Sequence, residues 1–330
     1  MKKEDDILWI FLHVPKTAGN TFVHHIEKSF ERDELMNLYA LEYLIRNTSS
    51  ISRNSIIDYA DHYTDEVKET LGLMPSEQKD RIKIIFGHYA YFGIHEFFNK
   101  TPRYIGFVRE PDRRTISMYN HLITRHFDKN KSSVESLWIE AALFDDGKML
   151  SFGEWLKKKY GQVIGYQTMV GFLGGNGYIE KSLDSDADIA IESIIDKFYF
   201  IGTTENFKRD SQFLYYELGV NKFYRNRNIS RRSYASHDSV AREAILERNI
   251  MDQKLYSQVL IANSQFRATH KNFEKKVKIM NIKMFLIKPF TQSVEIVLEF
   301  LYKISFWLRA RSLIYSRLMD LTKKSLGTKK

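Results

Sequence analysis

The sequence predicts a three-layer α/β fold, with a central, mostly parallel sheet flanked by helices and followed by a helical C-terminal tail. Near-continuous apolar runs, rich in β-branched and aromatic residues, are typical of strands buried on both faces of a parallel sheet. Segments of helical periodicity separate these runs, an alternation that favours parallel strands joined by helical crossovers. The predicted strands cover residues 7–14, 82–88, 103–109 and 198–203.

Helical periodicity accounts for the segments between the predicted strands. After the first strand and a short turn, the apolar residues Phe22, Val23, Ile26 and Phe30 recur at the spacing of one helix face. Further helices are predicted over residues 35–47, 113–127, 133–144, 152–160 and 187–198. A chain of 330 residues is long enough for one sizeable core, or for one core with an appendage.

The absence of cysteine limits the chemistry open to the chain. With no Cys in the sequence, disulfides, thiolate nucleophiles and cysteine-ligated zinc or iron–sulfur sites are excluded. The apolar run over residues 7–14 is too short for an export signal or a membrane span. We therefore expect a cytoplasmic protein, with peripheral contact at the inner membrane face as an option.

The positive charge of the chain is concentrated in its tail. The formal net charge is +9, yet residues 275–330 hold 13 Lys and Arg against 3 acidic residues, which leaves 37 basic and 38 acidic residues in 1–274. This shift predicts a main domain over residues 1–275 and a basic amphipathic helical tail over 276–330. The nearly neutral main domain gives no reason to expect a nucleic-acid partner.

The tail has the pattern of an amphipathic helix. One face carries apolar residues at helical spacing, namely Val294, Val297, Leu298, Leu301, Ile304 and Leu308. Glu295, Glu299 and Lys303 interrupt any apolar stretch of membrane length, so a transmembrane helix is not expected. Two interpretations stay open: the helix lies on an anionic membrane surface, or it packs on the main domain or on a second subunit.

The turn HVPKTAGNT follows the first predicted strand. Where a strand ends and a helix begins, backbone N–H groups and the positive end of the helix dipole point at one place. Lys16 adds a full positive charge there, and Gly19 permits an anion to approach the backbone closely. The short side-chain donors are Thr17, Asn20 and Thr21. The turn therefore predicts a phosphate-binding loop, with an ordinary strand–helix turn and a solvated lysine as the alternative.

This loop differs from a Walker A motif. Its lysine precedes the glycine, and no Lys-Ser/Thr pair opens the helix. The hydroxyl that normally holds Mg²⁺ in a nucleotide kinase is therefore missing, and no metal is expected.

A second candidate anion site lies after the third predicted strand, in FVREPDRRTIS. Arg109 stands at the strand's C-terminal end, and Ser117 lies along the helix that follows. A guanidinium can fork onto a phosphate, and a serine hydroxyl can donate to the same group. Because ligands of open parallel sheets bind beyond the carboxyl ends of the strands, Arg109 and the Lys16 loop are expected at one edge. The alternative is a surface arginine paired with Glu110 or Asp112.

Together these elements resemble the sulfotransferases that use 3′-phosphoadenylyl sulfate (PAPS). HVPKTAGNT is similar to the family's 5′-phosphosulfate loop, in the version of the carbohydrate branch that includes uronosyl and heparan 2-O-sulfotransferases and bacterial relatives. FVREPDRRTISMY is similar to the family's 3′-phosphate element. Further matches are residues 165–175, 200–214 and 251–256, so the resemblance covers residues 7–262 in order. It implies a P-loop-like fold and a catalytic domain over residues 1–275.

The resemblance also implies a role for each residue of the two elements. Lys16 would contact the bridging oxygen of the phosphosulfate and stabilise charge on the leaving phosphate, whereas Arg109 and Ser117 would bind the 3′-phosphate. The groups that would hold the 5′-phosphate are the backbone N–H groups of Ala18, Gly19, Asn20 and Thr21 and the hydroxyls of Thr17 and Thr21. A metal-free reaction is plausible chemistry, because sulfuryl transfer needs in-line positioning and charge stabilisation more than covalent help from the protein.

A histidine after the second predicted strand is the candidate general base. His88 follows that strand by one glycine, at the edge expected to hold the other two elements. An imidazole suits removal of a proton from an acceptor hydroxyl, and a Gly-His pair at this position supplies the proposed base in the resembling enzymes. The alternative for His88 is a sheet-edge histidine bonded to a backbone carbonyl. His95 is a second candidate base, while His13 is expected to be structural and the helical His121 to pack or face solvent.

Two further predictions concern loops. Glu205, in GTTEN, is expected to cap the following helix. Arg231 or Arg232 lies in a basic segment that closes over the nucleotide in the family, although a solvated loop fits that segment equally well.

The predicted activity is sulfuryl transfer from PAPS to a hydroxyl, on a saccharide or glycolipid acceptor, by in-line displacement. No motif specifies the acceptor, the position of the hydroxyl or the oligomeric state. Two other functions stay open. A P-loop-type kinase is disfavoured by the missing Gly-Lys-Ser/Thr, and a non-catalytic module would be recruited to a membrane surface by the tail.

Overall fold

The structure is a computed structural model that describes residues 6–39, 67–128, 133–158, 168–174, 187–223 and 239–325. Its strands are β1 (Ile7–Leu12), β2 (Leu35–Asn37), β3 (Ile84–Gly87), β4 (Thr101–Val108), β5 (Phe144–Asp145), β6 (Lys148–Met149) and β7 (Phe198–Thr203). Five of them form a parallel sheet in the order β2-β3-β1-β4-β7, while β5 and β6 pair as a separate antiparallel hairpin. The predicted α/β fold with a parallel central sheet is confirmed.

Helices cover both faces of this sheet. They are α1 (Gly19–Ser29), α2 (residues 67–73), α3 (Ser76–Arg81), α4 (Pro111–His126), α5 (Ser133–Leu143), α6 (Phe152–Lys157), α7 (Thr168–Gly174), α8 (Ala187–Lys197), α9 (Phe207–Glu217), α10 (Ser239–Arg248), α11 (Ile250–Thr269) and α12 (Phe273–Ser325). The helices predicted after Pro111 and over residues 133–144 and 187–198 are therefore present within a residue or two of their expected bounds.

Side chains alternate along β1 and so contribute to two cores. Leu8, Ile10 and Leu12 point to a core completed by α7, α8 and α11. Trp9 and Phe11 point to the other core, which α1, α9 and the first turns of α12 complete. A strand buried on both faces needs no polar side, and this explains why its sequence is a continuous apolar run.

The register of the sheet brings three strand ends to one edge. Leu12 pairs with Gly87 at the end of β3 and with Gly106 near the end of β4. The segments that follow β1, β3 and β4 therefore leave the sheet side by side. This edge carries all three candidate elements of the site.

The helix predicted over residues 35–47 is wrong at its start, where the chain forms the edge strand β2. This strand pairs in parallel with β3, and the N–H of Leu38 donates to the carbonyl of Phe86 at 2.8 Å. A short apolar run does not distinguish a helix from a strand by periodicity, and here pairing with β3 decides. Residues 40–47 lie outside the described residues.

The C-terminal helix α12 begins before residue 276 and runs through it without a break. Its first turns pack on α9, where Lys276 bonds with Glu217 at 2.6 Å. The division of the chain into a catalytic domain and a tail stays a prediction. Within the described ranges, we find no helix that is both long enough and apolar enough to cross a membrane.

Candidate active site

The turn after β1 has a strained backbone that presents α1 to the edge of the sheet. Lys16 and Ala18 have φ angles of 72° and 68°, in the left-handed region that residues other than glycine rarely adopt. The first turn of α1 contains no acidic residue. The positive end of the helix dipole and the first N–H groups of α1 are therefore free of an internal carboxylate and suited to an anion.

The structure brings Lys16 and Arg109 together. The guanidinium Nη1 of Arg109 donates to the backbone carbonyl of Lys16 at 3.3 Å. Burial and the charge of Arg109 lower the pKa of Lys16 to about 8, and burial lowers the pKa of Arg109. The Nε of Arg109 is buried and makes no hydrogen bond within the described residues. An anion at this point would relieve the repulsion between the two cations and satisfy the unused donor.

The side chains of the turn differ in how they can meet an anion. Thr17 is fully buried, and its hydroxyl donates to the carbonyl of Val14 at 2.8 Å. In this geometry the hydroxyl hydrogen is not available to a 5′-phosphate, so the backbone N–H is the group that Thr17 can offer. In the first turn of α1, Asn20 is exposed and Thr21 is buried. Their roles as ligands stay predictions.

Gly19 is required by the packing of His13. A Cβ at position 19 would lie 2.2 Å from the His13 ring, so the glycine makes room for an imidazole. His13 bonds through Nδ1 to the hydroxyl of Tyr39, and its ring stacks on His88 with 4.5 Å between centroids. Burial, followed by the charges of His88 and Lys16, holds the pKa of His13 well below its usual value. The neutral ring of His13 therefore supports the ring of His88 by stacking against it.

His88 follows β3 at a point where only glycine can precede it. Gly87 has a φ of 143°, and a Cβ there would lie 2.4 Å from the backbone of Leu38. The Nδ1 of His88 lies 2.8 Å from the carbonyl oxygen of His13. A carbonyl can only accept, so Nδ1 carries the proton and Nε2 holds the lone pair. Burial lowers the pKa of His88 to about 4, which keeps the ring neutral at pH 7.

The sequence model of the sulfotransferase family matches residues 1–279, most of the 330-residue chain. The chain belongs to the sulfotransferase family. The match spans the Lys16 loop, His88 and Arg109, and it ends within the first turns of α12. The chain has no significant match among curated proteins.

In this sulfotransferase, His121 also lies near the site, a position that sequence reasoning missed. It is one helical turn beyond Ser117 on α4, and burial followed by the charges of Lys16, Arg125 and His88 lowers its pKa to about 3. The influence of Lys16 and His88 indicates that the face of α4 shared by Ser117 and His121 is turned toward the site. The spacing of four residues between them was the available signal.

The other candidate base occupies a different environment. His95 bonds through Nδ1 to the hydroxyl of Tyr104 at 2.8 Å. Tyr104 lies four residues before the end of β4, which is about 13 Å along an extended strand. The placement of His88 beside Lys16 therefore favours His88 over His95 as the base.

Segments that matched the family outside the two nucleotide elements form a support for Arg109. Asp252, in residues 251–256, accepts the backbone N–H of Met169 at 3.2 Å. Met169 belongs to residues 165–175, and its sulfur accepts the backbone N–H of Arg109 at 3.4 Å. The backbone of Arg109, the candidate 3′-phosphate ligand, is thus held by residues outside the two nucleotide elements.

Glu205 does not cap the helix that follows it. Its Oε1 accepts the backbone N–H of Glu110 at 3.3 Å, at the start of α4. A hydrogen bond from the hydroxyl of Tyr256 to Glu205 is among the causes, after burial, that raise the pKa of that tyrosine. Glu205 therefore anchors α4, the helix that carries Ser117 and His121.

Some predictions fall outside the described residues. Arg231 and Arg232 lie there, as do large parts of the acceptor walls that we expect over residues 33–80 and 127–165 on position alone. In the ranges that the structure does describe, no group of three or more His, Asp or Glu side chains could hold a metal ion. The metal-free reaction stays a prediction.

Proposed function

We propose that this sulfotransferase transfers the sulfuryl group of PAPS to a hydroxyl of a saccharide or glycolipid, with His88 as the general base and without a metal ion. The observation that carries the proposal is the contact between Arg109 and the backbone of Lys16 at 3.3 Å. It supports one nucleotide bridging the two anion sites, with its 5′-phosphosulfate at the Lys16 loop and its 3′-phosphate at Arg109.

Lys16 and α1 would act on the leaving group. As the acceptor oxygen bonds to sulfur, the bond from sulfur to the bridging oxygen breaks, and negative charge grows on the 5′-phosphate. The ammonium of Lys16 and the N–H groups at the start of α1 would stabilise that charge where it develops. A bound dianion also raises the pKa of Lys16 from about 8, so the lysine is fully protonated when it is needed.

His88 would take the proton of the acceptor hydroxyl at Nε2. The bond from Nδ1 to the His13 carbonyl fixes the tautomer in which Nε2 is free to accept. In the free protein a pKa of about 4 makes His88 a weak base. The negative charge of the bound donor would raise this pKa, so His88 would become a stronger base only after the donor has bound.

Two further observations bear on the acceptor class and the cellular location. The resemblance of the Lys16 loop and the Gly-His pair to carbohydrate sulfotransferases supports a saccharide or glycolipid acceptor. The near balance of charge in residues 1–274 gives no support for nucleic acid as a substrate of the main domain. For the location, we propose a cytoplasmic enzyme whose basic tail makes peripheral contact with a membrane.

The test of the proposal measures donor recognition by calorimetry. Arg109→Ala is expected to lower the affinity for adenosine 3′,5′-bisphosphate by about 10- to 100-fold, because it removes charge-assisted hydrogen bonds to the 3′-phosphate. The affinity for adenosine 5′-phosphate should stay almost unchanged. Arg113→Ala is the matched control, since that arginine is 55% exposed and paired with Glu110. Equal losses for both nucleotides, or greater thermal protection by ATP with Mg²⁺ than by PAPS, would reject the proposal.

A further inference from the structure

The outward side of α12 exposes a band of large apolar side chains. The band consists of Ile282, Phe285, Leu286, Phe290, Val294, Ile296, Val297, Phe300, Leu301 and Ile304. Its phenylalanines are 79%, 71% and 62% exposed, in chain order. At roughly 100° per residue the ten side chains fall within about half of the helix circumference, and at about 1.5 Å per residue they extend over about 33 Å. A patch of this size on a protein surface indicates a binding partner.

The core that α1 and α9 share already covers the opposite side of the same helix. Phe273 and Met280 are buried in the core that α1 and α9 share. On the same side, Asn281 bonds with Gln212 of α9 at 3.0 Å. Among the described residues, the packing of α12 uses this opposite side and leaves the band exposed, so the band is open to an occupant.

Basic residues lie at both ends of the band. Lys275 and Lys278 precede Ile282 by seven and four residues, so they share its side of the helix, and Lys283 lies next to it. All three lysines are exposed. After the band, residues 305–330 contain seven basic residues and one acidic residue. In sequence, α12 thus has exposed lysines before the apolar band and a basic segment after it.

We propose that α12 lies in the headgroup region of an anionic membrane, with the exposed band turned toward the acyl chains and its flanking lysines on lipid headgroups. This arrangement matches both the apolar area and the sign of the charge. A second copy of this chain is a poorer occupant, because pairing two such helices would bring together two segments that each carry 11 basic and 4 acidic residues. The proposal does not depend on the identity of the sulfuryl donor.

Vesicle co-sedimentation of the full chain tests this proposal. Vesicles of phosphatidylcholine alone are compared with vesicles that also contain phosphatidylglycerol. We expect at least about tenfold stronger partitioning onto the anionic vesicles, with the preference declining as salt is added. Equal partitioning onto both kinds of vesicle, or none onto either, overturns the proposal.

Matched variants separate the apolar and the charged contributions. The double variant Phe285→Ser with Phe290→Ser is expected to lower partitioning by at least about tenfold. Leu73→Ser on α2 is the control, because Leu73 is 79% exposed, as is Phe285. Lys275→Glu with Lys278→Glu should weaken the anionic preference, whereas Lys222→Glu, at an exposed site elsewhere, should preserve it.

Folding and self-association are measured on the same samples. An unchanged circular dichroism spectrum and unfolding midpoint show that a variant is folded, and Phe300→Ser, farther along α12, replaces the double variant if that one fails. Variants that partition like the wild type contradict the proposal. So does a dimer in sedimentation velocity that the phenylalanine variants dissociate, since the occupant would then be a second copy.

Discussion

The pKa of Lys16 predicts how the sulfuryl-transfer rate depends on pH. With a pKa of about 8, about nine-tenths of this lysine is protonated at pH 7 and about one-tenth at pH 9. If the ammonium is needed to stabilise the leaving phosphate, kcat/KM falls about tenfold between these two pH values, because kcat/KM reports the free enzyme. Lys16→Arg keeps the charge throughout this range, so we expect a lower but nearly level profile.

The assay measures kcat/KM with labelled donor from pH 6 to pH 10. His88, with a pKa of about 4, is neutral across this range and adds no slope of its own. Arg109→Ala gives a second check, because loss of that charge raises the pKa of Lys16 and should move the decline to higher pH. A decline between pH 7 and pH 9 that persists in Lys16→Arg would refute the assigned role of Lys16.

Three further predictions concern the histidines and their support. His88→Ala should retain donor binding by calorimetry while turnover falls by about two to four orders of magnitude, and near-normal turnover would remove His88 from the base role. Gly19→Ala should destabilise the fold by about 1–3 kcal/mol in urea unfolding, because its Cβ would lie 2.2 Å from the His13 ring; an unchanged midpoint would contradict this. Tyr39→Phe removes the hydroxyl that bonds to His13 and should lower kcat with KM almost unchanged, and a change confined to KM would count against a positioning role.

The strand ends of the site could be predicted from sequence because topology does most of the placement. The carboxyl ends of parallel strands lie at one edge of the sheet. Three apolar runs followed by Lys16, His88 and Arg109 were therefore enough to predict that these residues lie close together. The pairing of Leu12 with Gly87 and Gly106 aligns the ends of β1, β3 and β4 at one edge, as expected.

Other parts of the site depend on tertiary packing that no local pattern encodes. Tyr39 reaches His13 from a segment that sequence periodicity assigned to a helix, and β2 forms there only because β3 offers a partner. The spacing of His121 from Ser117 places both residues on one face of α4, but the packing of α4 decides which way that face is turned. The hydroxyl of Thr17 turns inward because the tight loop leaves the Val14 carbonyl beside it. Each of these features follows from contacts between residues whose mutual orientation the sequence alone leaves open.

The free site carries both backbone strain and electrostatic repulsion, and a bound donor can offset the repulsion. Lys16 and Ala18 adopt left-handed backbone angles at a cost of about 1–3 kcal/mol each. Burial, followed by the charge of Arg109, also lowers the pKa of Lys16. A dianionic phosphosulfate at the Lys16 loop would remove part of the electrostatic cost without moving the backbone, since Lys16 and the N-terminus of α1 already lie at that loop. Binding should therefore stabilise the fold more than the nucleotide contacts alone suggest, and the same charge would raise the pKa of His88. One anion would thus complete the leaving-group site and activate the base, which couples proton removal to the presence of the donor.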